Sequence, residues 1–165
     1  MLLSVLEERL LVLPAMNRGE TYLRVHPEFR AIFTSNPQEY SGVHGAQDAL
    51  MDRLVTLELE FYDAVTEAEI VASRAGLSFE LAEPIVKLVR AYRDSGHFDQ
   101  TPTMRAANAI GKVVAMQELV ASAENEAFVL LCLDMLAAKK QFAATDFNGR
   151  SEHMAYLRRL IAEHF

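Results

Sequence analysis

Leu2, Leu3, Leu6 and Leu10 recur at the three- and four-residue intervals of a helix face, so the chain is expected to open inside a helix with no capping residue ahead of it. The period then changes. Residues 10–13 form a short apolar run stopped by Pro14, residues 21–25 form a second β-type run, and Asn17-Arg18-Gly19 between them is a turn signal. Residues 10–25 therefore read as a β-hairpin. The nearly continuous apolar run over 29–34 is that of a strand buried on both faces. It ends at Ser35-Asn36-Pro37, which places Asn36 at the strand's C-terminal tip. A loop with Gly42 and Gly45, a short helix over 47–53 and another strand over 54–59 follow.

From about residue 64 the pattern is helical only. Thr66-Glu67-Ala68-Glu69 reads as a capping box opening a helix that Gly76 closes. A second helix over 79–94 stops near Gly96. Thr101 as N-cap, with Pro102 in the first turn, opens a third helix reaching about residue 120. A fourth is expected over 125–140, and Ser151 caps a last one over 152–163. The change of texture near residue 62 divides the chain into a mixed α/β part, 1–62, and a helical part, 63–165. Two buried-type strands and a hairpin do not complete a doubly covered sheet, because such strands need neighbours. The first part reads as half of an α/β sheet.

Composition narrows the chemistry. Over 165 residues the chain is 51% hydrophobic and 24% charged, with a net charge of −7. That is the balance of a soluble globular protein, and its sign argues against nucleic acid or acidic membrane surfaces as partners. No stretch approaches the ~20 apolar residues that span a bilayer. The apolar N-terminus lacks a basic leader and does not read as a signal peptide. Cys132, the single cysteine, sits in Phe128-Val129-Leu130-Leu131-Cys132-Leu133 and reads as a buried hydrophobe in a reducing cytoplasm. His26, His44, His97, His153 and His164 show no metal-ligand spacing, and Ser35 lacks the glycines of a nucleophile elbow. No G-x-x-x-x-G-K-[ST] occurs; Gly111-Lys112 is followed by Val113 and preceded by Ala106 where the first glycine belongs.

Phe29-Arg30-Ala31-Ile32-Phe33-Thr34-Ser35-Asn36-Pro37-Gln38-Glu39-Tyr40, with Gly42-Val43-His44 and Gln47-Asp48-Ala49-Leu50-Met51-Asp52-Arg53-Leu54, resembles the gas-vesicle protein N family, in the MoxR-type branch of the AAA+ ATPases. Leu2-Leu3-Ser4-Val5-Leu6-Glu7-Glu8 is similar to the helix after the family's Walker B strand. The resemblance covers residues 1–140 and fits poorly after about 145. It implies a partial AAA+ P-loop NTPase core, α/β in class, followed by an all-α helical lid. It further implies that the chain starts downstream of Walker A and Walker B, and so is inactive alone.

The resemblance also implies roles. Asn36 matches sensor 1, where an amide at a strand tip contacts the γ-phosphate and orients the attacking water. Arg53 matches the arginine finger, delivered across a subunit boundary to a phosphoryl group in transfer. Arg105, in Thr101-Pro102-Thr103-Met104-Arg105-Ala106-Ala107, matches sensor 2 and reports nucleotide state to the lid. The hairpin matches the pre-sensor-1 hairpin, with Arg18 and Arg24 as its contact residues. The implied cofactors are ATP and Mg²⁺; the implied partners are further copies in a homo-oligomeric ring and gas vesicle structural or accessory proteins. Read without the resemblance, Asn36-Pro37 is a turn. Arg53 is then a helix-end arginine facing the dipole beside Asp52, and Arg105 is a solvated charge on an amphipathic helix. Two other readings stay open: a non-catalytic interaction module binding vesicle proteins or an intact ring, and a MoxR-type chaperone for another client.

Overall fold

The computed structural model describes residues 2–13, 22–34 and 52–165. The chain packs as two compact units, Met1–Leu59 and Glu60–Phe165. It is mostly helical, with one small sheet of two strands among the described residues.

In the first unit α1 (Leu2–Glu7) leads into β1 (Leu10–Val12), which pairs antiparallel with β2 (Tyr22–Arg24) in the register Leu10↔Arg24, Leu11↔Leu23, Val12↔Tyr22. The two strands expected from the apolar runs thus find each other, and Val25 N–H adds a 2.8 Å bond to Arg9 O beyond the ladder. Arg9 turns the chain from helix to strand at φ 57°, a left-handed conformation uncommon for a side-chain-bearing residue. Its guanidinium reaches across to donate to Pro27 O at 2.8 Å.

The other two expected strands are not present. Residues 29–34 and 54–59 run without regular structure, and Ile32, Val55, Leu57 and Leu59 are 95, 92, 82 and 95% exposed. A strand exists only by pairing, and neither run has a ladder partner among the described residues. The loop and most of the short helix expected between them, including Asn36, fall outside the described residues.

The second unit is five helices: α2 (Ala64–Ala75), α3 (Phe79–Ser95), α4 (Met104–Met116), α5 (Glu126–Ala137) and α6 (Phe147–His164). α3 is the hub, packing on α2, α4 and α6, while α5 closes the bundle between α4 and α6. Ala82, Ile85, Val86, Leu88, Val89 and Tyr92 give α3 a buried face. It meets Ala68 and Val71, Ile110 and Val114, Phe128, Leu133 and Leu136, and Leu157, Leu160 and Ile161 in one continuous core. Cys132 lies in that core, fully buried, and its burial pushes the thiol up to about 12, so it is inert filling.

Helix starts differ from expectation by up to a turn or more, for local reasons. Asp63, not Thr66, caps α2: its carboxylate accepts from Val65 N and Thr66 N, both at 3.0 Å, and the Thr66 hydroxyl donates to it at 2.7 Å. Those backbone and hydroxyl bonds hold the Asp63 carboxyl below its ordinary value. Thr103, not Thr101, caps α4, so Pro102 precedes the helix rather than opening it. α4 ends at Met116 rather than near 120. Asp146, not Ser151, caps α6, accepting from Gly149 N at 2.9 Å. Asn125, expected as the first residue of the fourth helix, caps α5 instead, and that helix ends at Ala137 rather than near 140.

Two glycines matter. Gly76 ends α2 at φ 73°, with its own N–H and that of Leu77 bonded to Ala72 O. Gly111 lies mid-α4, where an added Cβ would sit 3.1 Å from Ala75 Cβ and 3.2 Å from Val71. The sequence's glycine–lysine pair is therefore a close-packing point between α4 and α2, not a phosphate loop.

Candidate functional site

Arg53 and Arg105 are the two anticipated nucleotide-site residues within the described structure, one in each unit; of the hairpin's expected contact residues, Arg24 is exposed on β2 and Arg18 falls outside the described residues. Arg53 sits in a turn, about a third exposed, and both Nε and Nη2 engage Glu7 at the end of α1. Among the described residues the acid that engages it is Glu7, not the neighbouring Asp52. The pair is half solvated, so it orients the guanidinium more than it stabilises the fold. Arg105 lies in the first turn of α4, its N–H bonded to Thr103 Oγ1 at 3.3 Å and its side chain exposed. No ion pair holds that side chain among the described residues. A cation there works against the helix dipole and is held in place by no acid, which leaves it available to an anion.

A cluster that the helical periodicity conceals ties the segment before α4 to α2 and α3. Glu67 on α2 is 2% exposed and lies between two arginines of α3, with Oε2 3.1 Å from Arg90 Nη1 and Oε1 3.1 Å from Arg93 Nη1. Arg90 also donates to Tyr62 O at 2.9 Å. Arg93 does more: Nε donates to Pro102 O at 2.8 Å, and its guanidinium lies 3.9 Å over the Phe61 ring. One arginine therefore joins the entry to α2, the body of α3 and the segment that leads into α4. Its Nη2 is buried with no partner.

Sequence reasoning missed this cluster because Glu67 reads as half of a capping box. The available signal was position. Glu67 precedes Val71 by four residues, and Arg90 and Arg93 follow Val86 and Val89 by four, so all three charges ride on buried stripes. A carboxylate buried between two guanidiniums is costly to desolvate and costlier still to orphan.

A second cluster surrounds His153, which is 6% exposed on α6. Tyr92 Oη lies 3.1 Å from His97 O and 3.2 Å from His153 Nε2. The carbonyl can only accept, so the single phenol proton is committed to it and Nε2 is the donor to Oη. That fixes the tautomer of the neutral ring and leaves Nδ1 as the atom that titrates. Tyr156, Phe142 and Tyr92 pack around the imidazole. Burial, helped by the charges of Lys140 and His97 and opposed by Asp99, holds His153 below its ordinary 6.5. Burial likewise pushes the Tyr92 phenol up to about 12.

Among the described residues no helix is long and apolar enough to cross a membrane. No protein-family model matches the chain. Curated relatives do. A protein of Ancylobacter aquaticus named gas vesicle ATPase GvpN is 51% identical over 138 residues, 84% of this chain and 39% of the relative. A Haloferax mediterranei protein of the same name is 44% identical over 141 residues, again 84% of this chain and 39% of the relative. The gas vesicle ATPase GvpN2 of Halobacterium salinarum is 42% identical over 140 residues with the same coverage. The chain spans about two-fifths of the length of these relatives, and over that span it belongs to the gas vesicle ATPase GvpN family.

Proposed function

We propose that this chain is the C-terminal, sensing and coupling portion of a MoxR-type AAA+ ATPase that drives gas vesicle assembly. The observation that carries the reading is its 51% identity, over 84% of its length, to a relative named a gas vesicle ATPase. In this reading ATP with Mg²⁺ is held by the rest of the protein in a cytoplasmic homo-oligomeric ring. Asn36 orients the attacking water, Arg53 reaches a neighbouring subunit's phosphoryl group, and Arg105 ties the helical lid to nucleotide state. Two geometric facts support the assignment. The Glu7 carboxylate keeps the Arg53 guanidinium at the surface, where a phosphate oxygen can take its place. Arg93 clamps the Pro102 carbonyl three residues before Arg105, so a pull on Arg105 is passed to α2 and α3.

Joining this chain to the preceding portion of the Ancylobacter aquaticus relative gives the test. Phosphate release should appear in the joined protein and be negligible for the chain alone. Arg53→Ala should cut turnover by ~10³-fold or more while ATP binding persists. Full turnover by Arg53→Ala would remove it from the finger role, and Asn36-dependent turnover by the chain alone would overturn the division of labour.

A second reading, an interaction module that binds vesicle proteins or an intact ring without catalysis, draws on the outward Val55, Leu57 and Leu59. These alternate with Thr56, Glu58 and Glu60 as a strand open to a partner would. Nucleotide-independent capture of a vesicle shell protein, lost in Leu57→Asp, would favour it over the first.

A further inference from the structure

Between the C-terminal end of α5 and the first turns of α6 lies a cavity of about 250 Å³, lined by Ala137, Lys140, Phe142, Arg150, His153 and Met154. Its lining divides cleanly. Lys140 and Arg150 supply two cations, His153 a titratable ring, and Phe142, Met154 and Ala137 an apolar wall. The Lys140 ammonium stands 5.7 Å from the centre of the Phe142 ring, so charge and apolar surface are adjacent.

Neither cation has a carboxylate partner among the described residues. Two acids of the adjoining segments accept backbone amides rather than these cations. Asp99 accepts Gln141 N–H at 2.6 Å, and Asp146 accepts Gly149 N–H at 2.9 Å as the cap of α6. The same Asp99 bond, with Asp99 N–H and Gln100 N–H both on Lys139 O at 3.0 Å, clasps the segment after α3 to the segment carrying Lys140. The cavity wall is therefore built, not a chance meeting of loops. His153 is locked by Tyr92 with Nε2 as donor, so a proton taken up at Nδ1 turns the ring into a third cation. Its surroundings are Tyr92 on α3, His97 and Asp99 after α3, Lys140 after α5, and Tyr156 and Arg150 on α6 itself.

We propose that this cavity binds a small organic carboxylate, with its oxygens between Lys140 and Arg150 and its apolar body against Phe142 and Met154. The volume sits just below the ~300–1,000 Å³ of sites for drug-sized ligands, so the occupant is small. Arg150 offers a planar fork and Lys140 a point charge, a pairing suited to one carboxylate. The bound anion favours the protonated imidazole, so ligand and proton bind cooperatively.

Benzoate and inorganic phosphate are the probes, titrated separately into the full chain at constant ionic strength while the ring protons of His153 are followed by NMR. Saturable movement of the His153 signals with benzoate is expected, together with a rise in the His153 titration midpoint. His26 and His164 should not move. Lys140→Gln and, separately, Arg150→Gln should each weaken benzoate at least tenfold. Both alter cavity-rim residues outside the buried core, so either variant alone suffices if the other fails to fold. Absence of saturation, or unchanged affinity in the variants, overturns the proposal. Phosphate binding as tightly as benzoate also overturns it, since the apolar wall would then contribute nothing.

Discussion

Residues 60–165 enclose a continuous apolar core, while the described part of residues 1–59 leaves most of its large apolar side chains in water, and the contrast follows from how each satisfies its backbone. α3 closes its hydrogen bonds within itself and needs neighbours only for its apolar face, which α2, α4 and α6 cover. The runs at 29–34 and 54–59 have comparable apolar content, yet a strand's donors and acceptors must be met by another strand. Only β1 and β2 find that partner among the described residues. Apolar content alone therefore does not produce a core.

The sharpest way to break this comparison is to remove Glu67. Glu67→Ala leaves Arg93 buried and unpaired and should cost about 3–5 kcal/mol in urea unfolding, a loss on the scale of the helical unit's whole stability. A cost below about 1 kcal/mol would mean that the arginines relax into water and that the cluster holds nothing together. Leu133→Ala, fully buried on α5, should cost about 2–5 kcal/mol by the same measurement, according to how far the core collapses into the space.

The pH dependence is smaller. His153 is held neutral in the fold below its ordinary 6.5, so the unfolded chain takes up the proton first. Its contribution is full above about pH 6.5 and is lost as pH falls from there toward the folded value. Melting temperature should decline across that window, and His153→Phe should flatten this part of the decline. Smallest of all, Leu57→Ser should change stability by no more than about 0.5 kcal/mol, because Leu57 is already in water. A large loss there would show that the first unit has a packing partner for it.

The helices were legible wherever a 3.6-residue stripe met a glycine stop, as over 79–95, because both signals are local. Their starts were less so. Asp63 and Thr66, Thr101 and Thr103, and Asp146 and Ser151 each offer competing capping side chains, and the choice rests on backbone geometry that composition does not carry. The runs at 29–34 and 54–59 look like strands because a run's apolar content says nothing about its neighbours. Arg53 and Arg105 are proposed through resemblance rather than periodicity, and Asn36 falls outside the described residues. Glu67 was misplaced because an acid in a first turn serves equally well as a cap or as the core of an ion cluster.

Gly111 sets how near α4 can lie to α2, and Arg105 rides on the same helix six residues earlier, about 9 Å along its axis. The helix is thus a lever with its fulcrum at a missing side chain. A methyl group at Gly111 would meet Ala75 and Val71 closer than ordinary contact allows; wherever those side chains do not give by a few tenths of an ångström, α4 must shift and carry the guanidinium with it. The reach of that charge can be retuned without altering the arginine itself.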